Sequence, residues 1–139
     1  MTRFPVVSSL LALLFSSLCS FAADAVEGVW EKSDGQAQIR FKIEKGKLNG
    51  YLTKIADKKR VKDTNNPAPA RRSRKLLGLK IASGFWKQGN AWVGGSLYDS
   101  SKGKTYKGKI WLDGKDKLKM RGYVGVSLIG RTAEWKRVK

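Results

Sequence analysis

Arg72 and Arg74 stand two residues apart in a stretch punctuated by Pro67 and Pro69. In an extended loop this spacing puts both guanidinium groups on one side, forming a fork for a phosphate or carboxylate. On a helix the two would diverge. Asp63, in the same stretch, can pair with either arginine, and a solvated basic loop partly pinned by that carboxylate is the plainer reading. Asp99 is the best-placed single acid, at a strand end before a long loop, although capping an Asx-type turn is the commoner duty of such a residue. Tyr98, Tyr106 and Tyr123 are the aromatic neighbours available to a ligand held there. Such residues suit non-covalent recognition. The chain has no histidine, and its single cysteine, Cys19, falls in the apolar leader. The commonest general base, metal ligand and activated nucleophile are therefore missing from the remainder. Carboxylate catalysis needs a convergent pair of acids, and no spacing here offers one. The expectation is a protein that is not an enzyme and uses no metal or cofactor, with an unrecognised hydrolase as the outlying alternative. Gly103-Lys104-Thr105 echoes the end of a P-loop but lacks the upstream glycine and the following helix, so it reads as a hairpin turn.

The elements that must position these residues are nearly all β. From Gln36 to Glu44, Ile39, Phe41 and Ile43 alternate with Gln38, Arg40 and Lys42, the period of a half-buried strand. Lys45-Gly46-Lys47 turns the chain into a second run, Leu48 to Ile55. Further runs cover Leu79 to Trp86, Ala91 to Tyr98, Thr105 to Leu112, Lys117 to Tyr123 and Leu128 to Val138. Their connectors, Gln88-Gly89-Asn90, Asp99 to Gly103 and Asp113 to Asp116, are rich in turn-forming residues. With the short Val29 to Lys32 run the count is about eight. An up-and-down antiparallel barrel of eight strands is just filled by side chains or holds one small ligand. Ala56 to Leu77 breaks the rhythm as one long basic loop, in which Ala70 to Leu77 can form a short helix after Pro69. Trp111, among outward lysines, hints at stacking on a sugar or base.

Gly28-Val29-Trp30 opens the barrel and Gly130-Arg131-Thr132-Ala133-Glu134-Trp135 closes it. Arg131, Ala133 and Trp135 share one strand face, and the expectation is that Arg131 packs on Trp30 or Trp135, capping one end of the core by stacking. Lining of a ligand cavity by these residues is the alternative.

Residues 1–22 read as a secretory signal: Arg3 supplies the positive start, Val6 to Leu18 the apolar stretch, and Ser20-Phe21-Ala22 the small residues before cleavage. Ala25 closes a second candidate site. The apolar run is too short to span a membrane, which takes about 20 residues. The domain is then 23–139, periplasmic or secreted, with no transmembrane segment. The chain carries 29 Lys and Arg against 11 Asp and Glu, a formal +18; losing the leader removes only Arg3. Such a charge attracts polyanions. A small or polymeric anionic ligand of the cell envelope is the expected partner, bound by a monomer, with no specific nucleic acid.

Asn66-Pro67, Arg72-Ser73-Arg74, Leu76-Leu77-Gly78, Gly94-Gly95, Tyr98-Asp99, Gly103-Lys104-Thr105-Tyr106, Arg121-Gly122-Tyr123-Val124-Gly125 and Leu128-Ile129-Gly130-Arg131-Thr132 occur in this order. Together with Trp30 and Trp135 they resemble the exported bacterial family called domain of unknown function 2147, across the whole mature chain. Ala68 and Ser100 depart from its pattern, where the family tends to carry an acid and a proline. The resemblance implies a lipocalin-like barrel and export, and no particular reaction. The functional expectation is a periplasmic binding protein for a small amphipathic or anionic ligand. Its alternative is an envelope-associated protein using its basic surface on anionic lipid or polysaccharide.

Overall fold

A computed structural model describes residue 3, residues 24–126 and residues 128–139. The expected leader, Arg3 apart, and its cleavage sites up to Ala22 lie outside the described residues. Eight antiparallel strands follow in chain order: β1 (Gly28–Lys32), β2 (Ala37–Glu44), β3 (Lys47–Ile55), β4 (Lys80–Gln88), β5 (Ala91–Asp99), β6 (Lys104–Leu112), β7 (Lys117–Tyr123) and β8 (Gly130–Arg137). Each pairs with its sequence neighbours, and β8 returns to β1, so the sheet closes as an up-and-down barrel with no open edge. The alternation read from β2 sets the inward face: Ile39 and Phe41 are buried while Lys42 is exposed. The β2–β3 turn places both Lys45 and Gly46 at positive φ, the geometry of a tight two-residue hairpin that matches strand twist.

Meandering connectivity gives the barrel two unlike ends. At the base lie the start of β1, the end of β8 and the turns 45–46, 89–90 and 113–116. At the mouth lie the connections 33–36, 56–79, 100–103 and 124–129. Side-chain bulk is concentrated towards the base, where Trp30, Phe41, Leu48, Phe85, Ile110 and Leu118 have essentially no exposure. Gly95 and Gly108 make room for the Phe85 ring; a Cβ at these positions would stand 2.4 Å and 2.7 Å from its carbons.

Arg137, not Arg131, closes the base. Its guanidinium lies 4.2 Å from the centre of the Trp30 ring and donates to the backbone carbonyls of Glu27 (3.2 Å), Lys115 (3.0 Å) and Ala25. The Trp30 indole in turn donates to the Val26 carbonyl at 2.9 Å. The reason is register: Trp30 pairs with Arg137 and Lys32 with Trp135. Arg131 shares their inward row but sits six residues higher, about 20 Å along the strand. It stands exposed at the mouth.

The long loop also differs from expectation. The only helical turn in it is a 3-10 turn at Pro69–Arg71, and Arg72 onward does not continue as a helix. The loop is stapled down. Lys62 and Lys75 form an isolated antiparallel bridge, Leu76 packs with Leu52 and Ile55, and Asn65 donates through its amide to the carbonyls of Ser100 and Ser101. Gly103 passes so close to Asn65 that a Cβ would fall 1.8 Å from the Asn65 carbonyl oxygen.

Candidate ligand-binding site

The upper half of the barrel is hollow. Inward positions near the mouth carry small residues, Ala37, Gly122 and Ala133, where those near the base carry rings. The result is a cavity of about 390 Å³, within the ~300–1,000 Å³ of small-molecule sites. Its walls are apolar: Leu52, Ile55, Ile81, Leu97, Met120 and Trp135. The Trp135 indole is buried, and its Nε1–H has no hydrogen-bond partner. The rim is polar, made by Lys32, Gln36, Arg60, Asp99, Ser101 and Tyr106. Lys32 is the last residue of β1 and reaches Asp34 at 3.3 Å; Arg60 is held by the Ser100 hydroxyl at 2.9 Å. Beyond the rim the cavity opens into a wider cleft between the 100–103 and 124–129 connections, where Lys102, Tyr123 and Arg131 stand.

The expected site residues divide between two places. Asp99 and Tyr106 are at the cavity rim, Tyr98 touches it, and Tyr123 lines the outer cleft. The Asp99 carboxylate accepts from the Ser101 amide at 2.9 Å, which is the turn-capping geometry. Arg72 and Arg74 do not line the cavity, so the expected anion fork is not at its mouth. The Arg74 Nε donates to Asp63 at 2.9 Å, and the Arg72 Nε donates to the Asn66 carbonyl at 2.8 Å. Each arginine thus ties its Nε–H to the loop's own structure. Trp135 lines the cavity, as the alternative reading of the closing strand had it, whereas nothing in the sequence points to Lys32 and Arg60 as cavity residues. Trp135 and Lys32 face each other across β1 and β8, so the strand register was the missing signal.

Asp63 is the hub of the loop and has no exposed surface. Its Oδ1 accepts the Tyr98 hydroxyl at 2.6 Å, and its Oδ2 accepts the Asn66 amide at 2.8 Å beside Arg74. Burial pushes the carboxyl up, but donation from Tyr98, Asn66 and Arg74 outweighs it and holds Asp63 below its ordinary value. The same arrangement raises Tyr98, first through burial and then through the carboxylate it serves. With both oxygens committed, Asp63 is a structural anchor. Among the described residues, no group of three His, Cys, Asp or Glu side chains could hold a metal ion, and no helix is long and apolar enough to cross a membrane.

A closed eight-stranded meander with one plugged end and one open, partly apolar chamber defines a lipocalin-like barrel. The chain belongs to the bacterial family DUF2147, described as an uncharacterized protein conserved in bacteria, whose model matches residues 28–137. It is also similar to a solved structure from the human pathogen Helicobacter pylori, protein HP1028, described as belonging to the lipocalin family. That likeness has a TM-score of 0.73 at 25% identity and covers 81% of this chain and 82% of the other. No curated protein matches the chain.

Proposed function

We propose that this chain is an exported binding protein of the bacterial envelope that holds a small amphipathic ligand without covalent chemistry. The observation that carries this reading is the one-ended cavity, apolar along its walls and ringed by Lys32 and Arg60 at its rim. A ligand with a short hydrocarbon portion would place it against Leu97, Met120 and Trp135, leaving an anionic head at the cations. The unpaired Trp135 N–H offers a donor to a polar atom that penetrates further. The likeness to a protein placed in the lipocalin family supports small-ligand binding in general. The leader-like residues 1–22 support export, with cleavage near Ala22 or Ala25.

Gly122 supplies the test. It faces the cavity, and a Cβ there would meet only ordinary contacts, Tyr106 at 3.4 Å being the nearest. Gly122→Leu should therefore fill the chamber while leaving the barrel folded. Dodecanoate and dodecylamine, titrated by tryptophan fluorescence, should bind wild type with the anion preferred. The variant should lose at least about tenfold in affinity. Equal binding by a folded Gly122→Leu protein would refute the cavity as the site. Sequencing of the protein purified from cells should start near Ala23 or Val26, and a retained Met1 would refute export.

A further inference from the structure

Eight large hydrophobic side chains stand exposed among the described residues, and six of them belong to mouth-end connections. Val61 and Leu77 lie in the β3–β4 loop. Val124, Val126, Leu128 and Ile129 lie between β7 and β8, each with 59–89% of its surface exposed. A solitary exposed leucine is ordinary, but four within six positions form a patch that normally marks a contact. Charge is distributed in the same direction. The mouth connections hold nine Lys and Arg against Asp34, Asp57 and the buried Asp63, while the base turns and termini hold Lys45, Lys115 and Lys139 against four acids. The barrel is thus polarised, with an apolar prow set in a basic collar at the open end.

We propose that the mouth end docks on an anionic phospholipid bilayer. The β7–β8 loop enters the headgroup layer with Leu128 and Ile129 leading, and the β3–β4 loop lies over the phosphates. A bilayer satisfies both halves of the patch, supplying hydrocarbon for the loop tip and negative charge for the collar. A polysaccharide offers no hydrocarbon to receive the leucine and isoleucine. A second copy meeting mouth to mouth would oppose one set of nine cations to another. The two connections are neighbours through the 100–103 turn: Ser101 and Lys102 line the outer cleft with Val124 and Ile129, and Asn65 of the β3–β4 loop donates to the Ser100 and Ser101 carbonyls, so one surface can reach both. The inference stands on these exposed loops and does not require that the cavity be occupied.

The experiment is flotation of the protein, produced from its full sequence, with vesicles of phosphatidylcholine alone or with a third of phosphatidylglycerol. Wild type should float with the anionic vesicles only, and less as salt rises. Leu128→Ser/Ile129→Ser keeps every charge and should lose at least about tenfold of that binding. Its elution from a heparin column should not change, and Trp86→Ser on the barrel wall should float as wild type does. Leu128→Trp reads the same contact without removing apolar surface, and its emission should shift to the blue on the vesicles. Four results would overturn the proposal: undiminished flotation of the double variant, equal flotation with neutral vesicles, an unshifted tryptophan on bound protein, or a wild-type dimer that the double variant dissociates.

Discussion

Replacing Asp63 with Ala removes the single carboxylate shared by three donors, Asn66 and Arg74 within the loop and Tyr98 on β5. Breaking a buried ionic pair from one side typically costs about 3–5 kcal/mol, because the other partner is left desolvated. Arg74 is 36% exposed at its side chain and can recover water, which discounts its share. Asn66, at 4% exposure, cannot do so without the loop moving, and the Tyr98 hydroxyl loses a charge-assisted bond. Unsatisfied groups of this kind cost about 1–3 kcal/mol each. The expected total is about 2–4 kcal/mol, most of a third of a typical domain's stability, and a fall in Tm of roughly 8–15 °C. Urea unfolding at constant m measures it, and amide exchange at Asn66 and Leu76 shows whether the loop lifts before the barrel melts. A coupling of about 0.5–3 kcal/mol with Tyr98→Phe should appear in a double-mutant cycle. Because the folded carboxyl lies below its ordinary value of 3.8, its contribution is complete above that pH and vanishes as pH falls through the lower folded value. Wild type and Asp63→Ala should therefore converge in stability in acid. A loss under ~1 kcal/mol near neutrality, with unchanged exchange at both amides, would refute the reading of Asp63 as the loop's anchor.

Three further substitutions test the packing. Trp30→Ala should cost about 3–5 kcal/mol by urea unfolding, as truncation of a fully buried ring does; a loss below ~1 kcal/mol would mean the base is not sealed by this indole. Arg137→Ala should cost about 2 kcal/mol for its stacking and carbonyl bonds, whereas Arg131→Ala should stay within about 0.5 kcal/mol, and the reverse order would overturn the register described above. Gly95→Ala forces a methyl against the Phe85 ring and should destabilise by about 1–3 kcal/mol in thermal melts, with a neutral result showing that the lower core is loose.

What the sequence made legible follows from which forces are local. Alternation such as Ile39–Phe41 against Arg40–Lys42 reports a half-buried strand without reference to any partner, and every strand forms within a few residues of its run. The hub at Asp63 depends on Tyr98, 35 positions away, and no local pattern announces such a donor. Only the pairing of Asp63 with one of the two arginines was visible, from proximity of opposite charges within one loop. The cavity was hidden for a different reason. Inward Ala37, Ala133 and Gly122 obey the same alternation as inward Trp30 and Phe41, so periodicity alone does not separate a hollow layer from a packed one. Their heights along the barrel separate them, and height requires the register.

The inward row of β8 shows what register decides. From mouth to base it reads Arg131, Ala133, Trp135 and Arg137: an exposed cation, a small side chain that leaves space, an indole beside that space, and the cation that seals the base. A slide of two residues would keep every side chain on its proper face, so the hydrophobic pattern is indifferent to it. Such a slide would nevertheless put Trp135 opposite Trp30 and move Arg137 to the first residue of β1, opposite Gly28. The choice is made at the chain ends, where the Val29 amide donates to the Lys139 carbonyl at 2.7 Å and the Val138 amide donates to the Val29 carbonyl at 2.8 Å. Antiparallel closure of the first strand on the last must bring the two ends of the domain together, and Trp30 lies near one of those ends. Its arginine therefore has to come from the other end, which is Arg137, and Arg131 is left free to face whatever approaches the mouth.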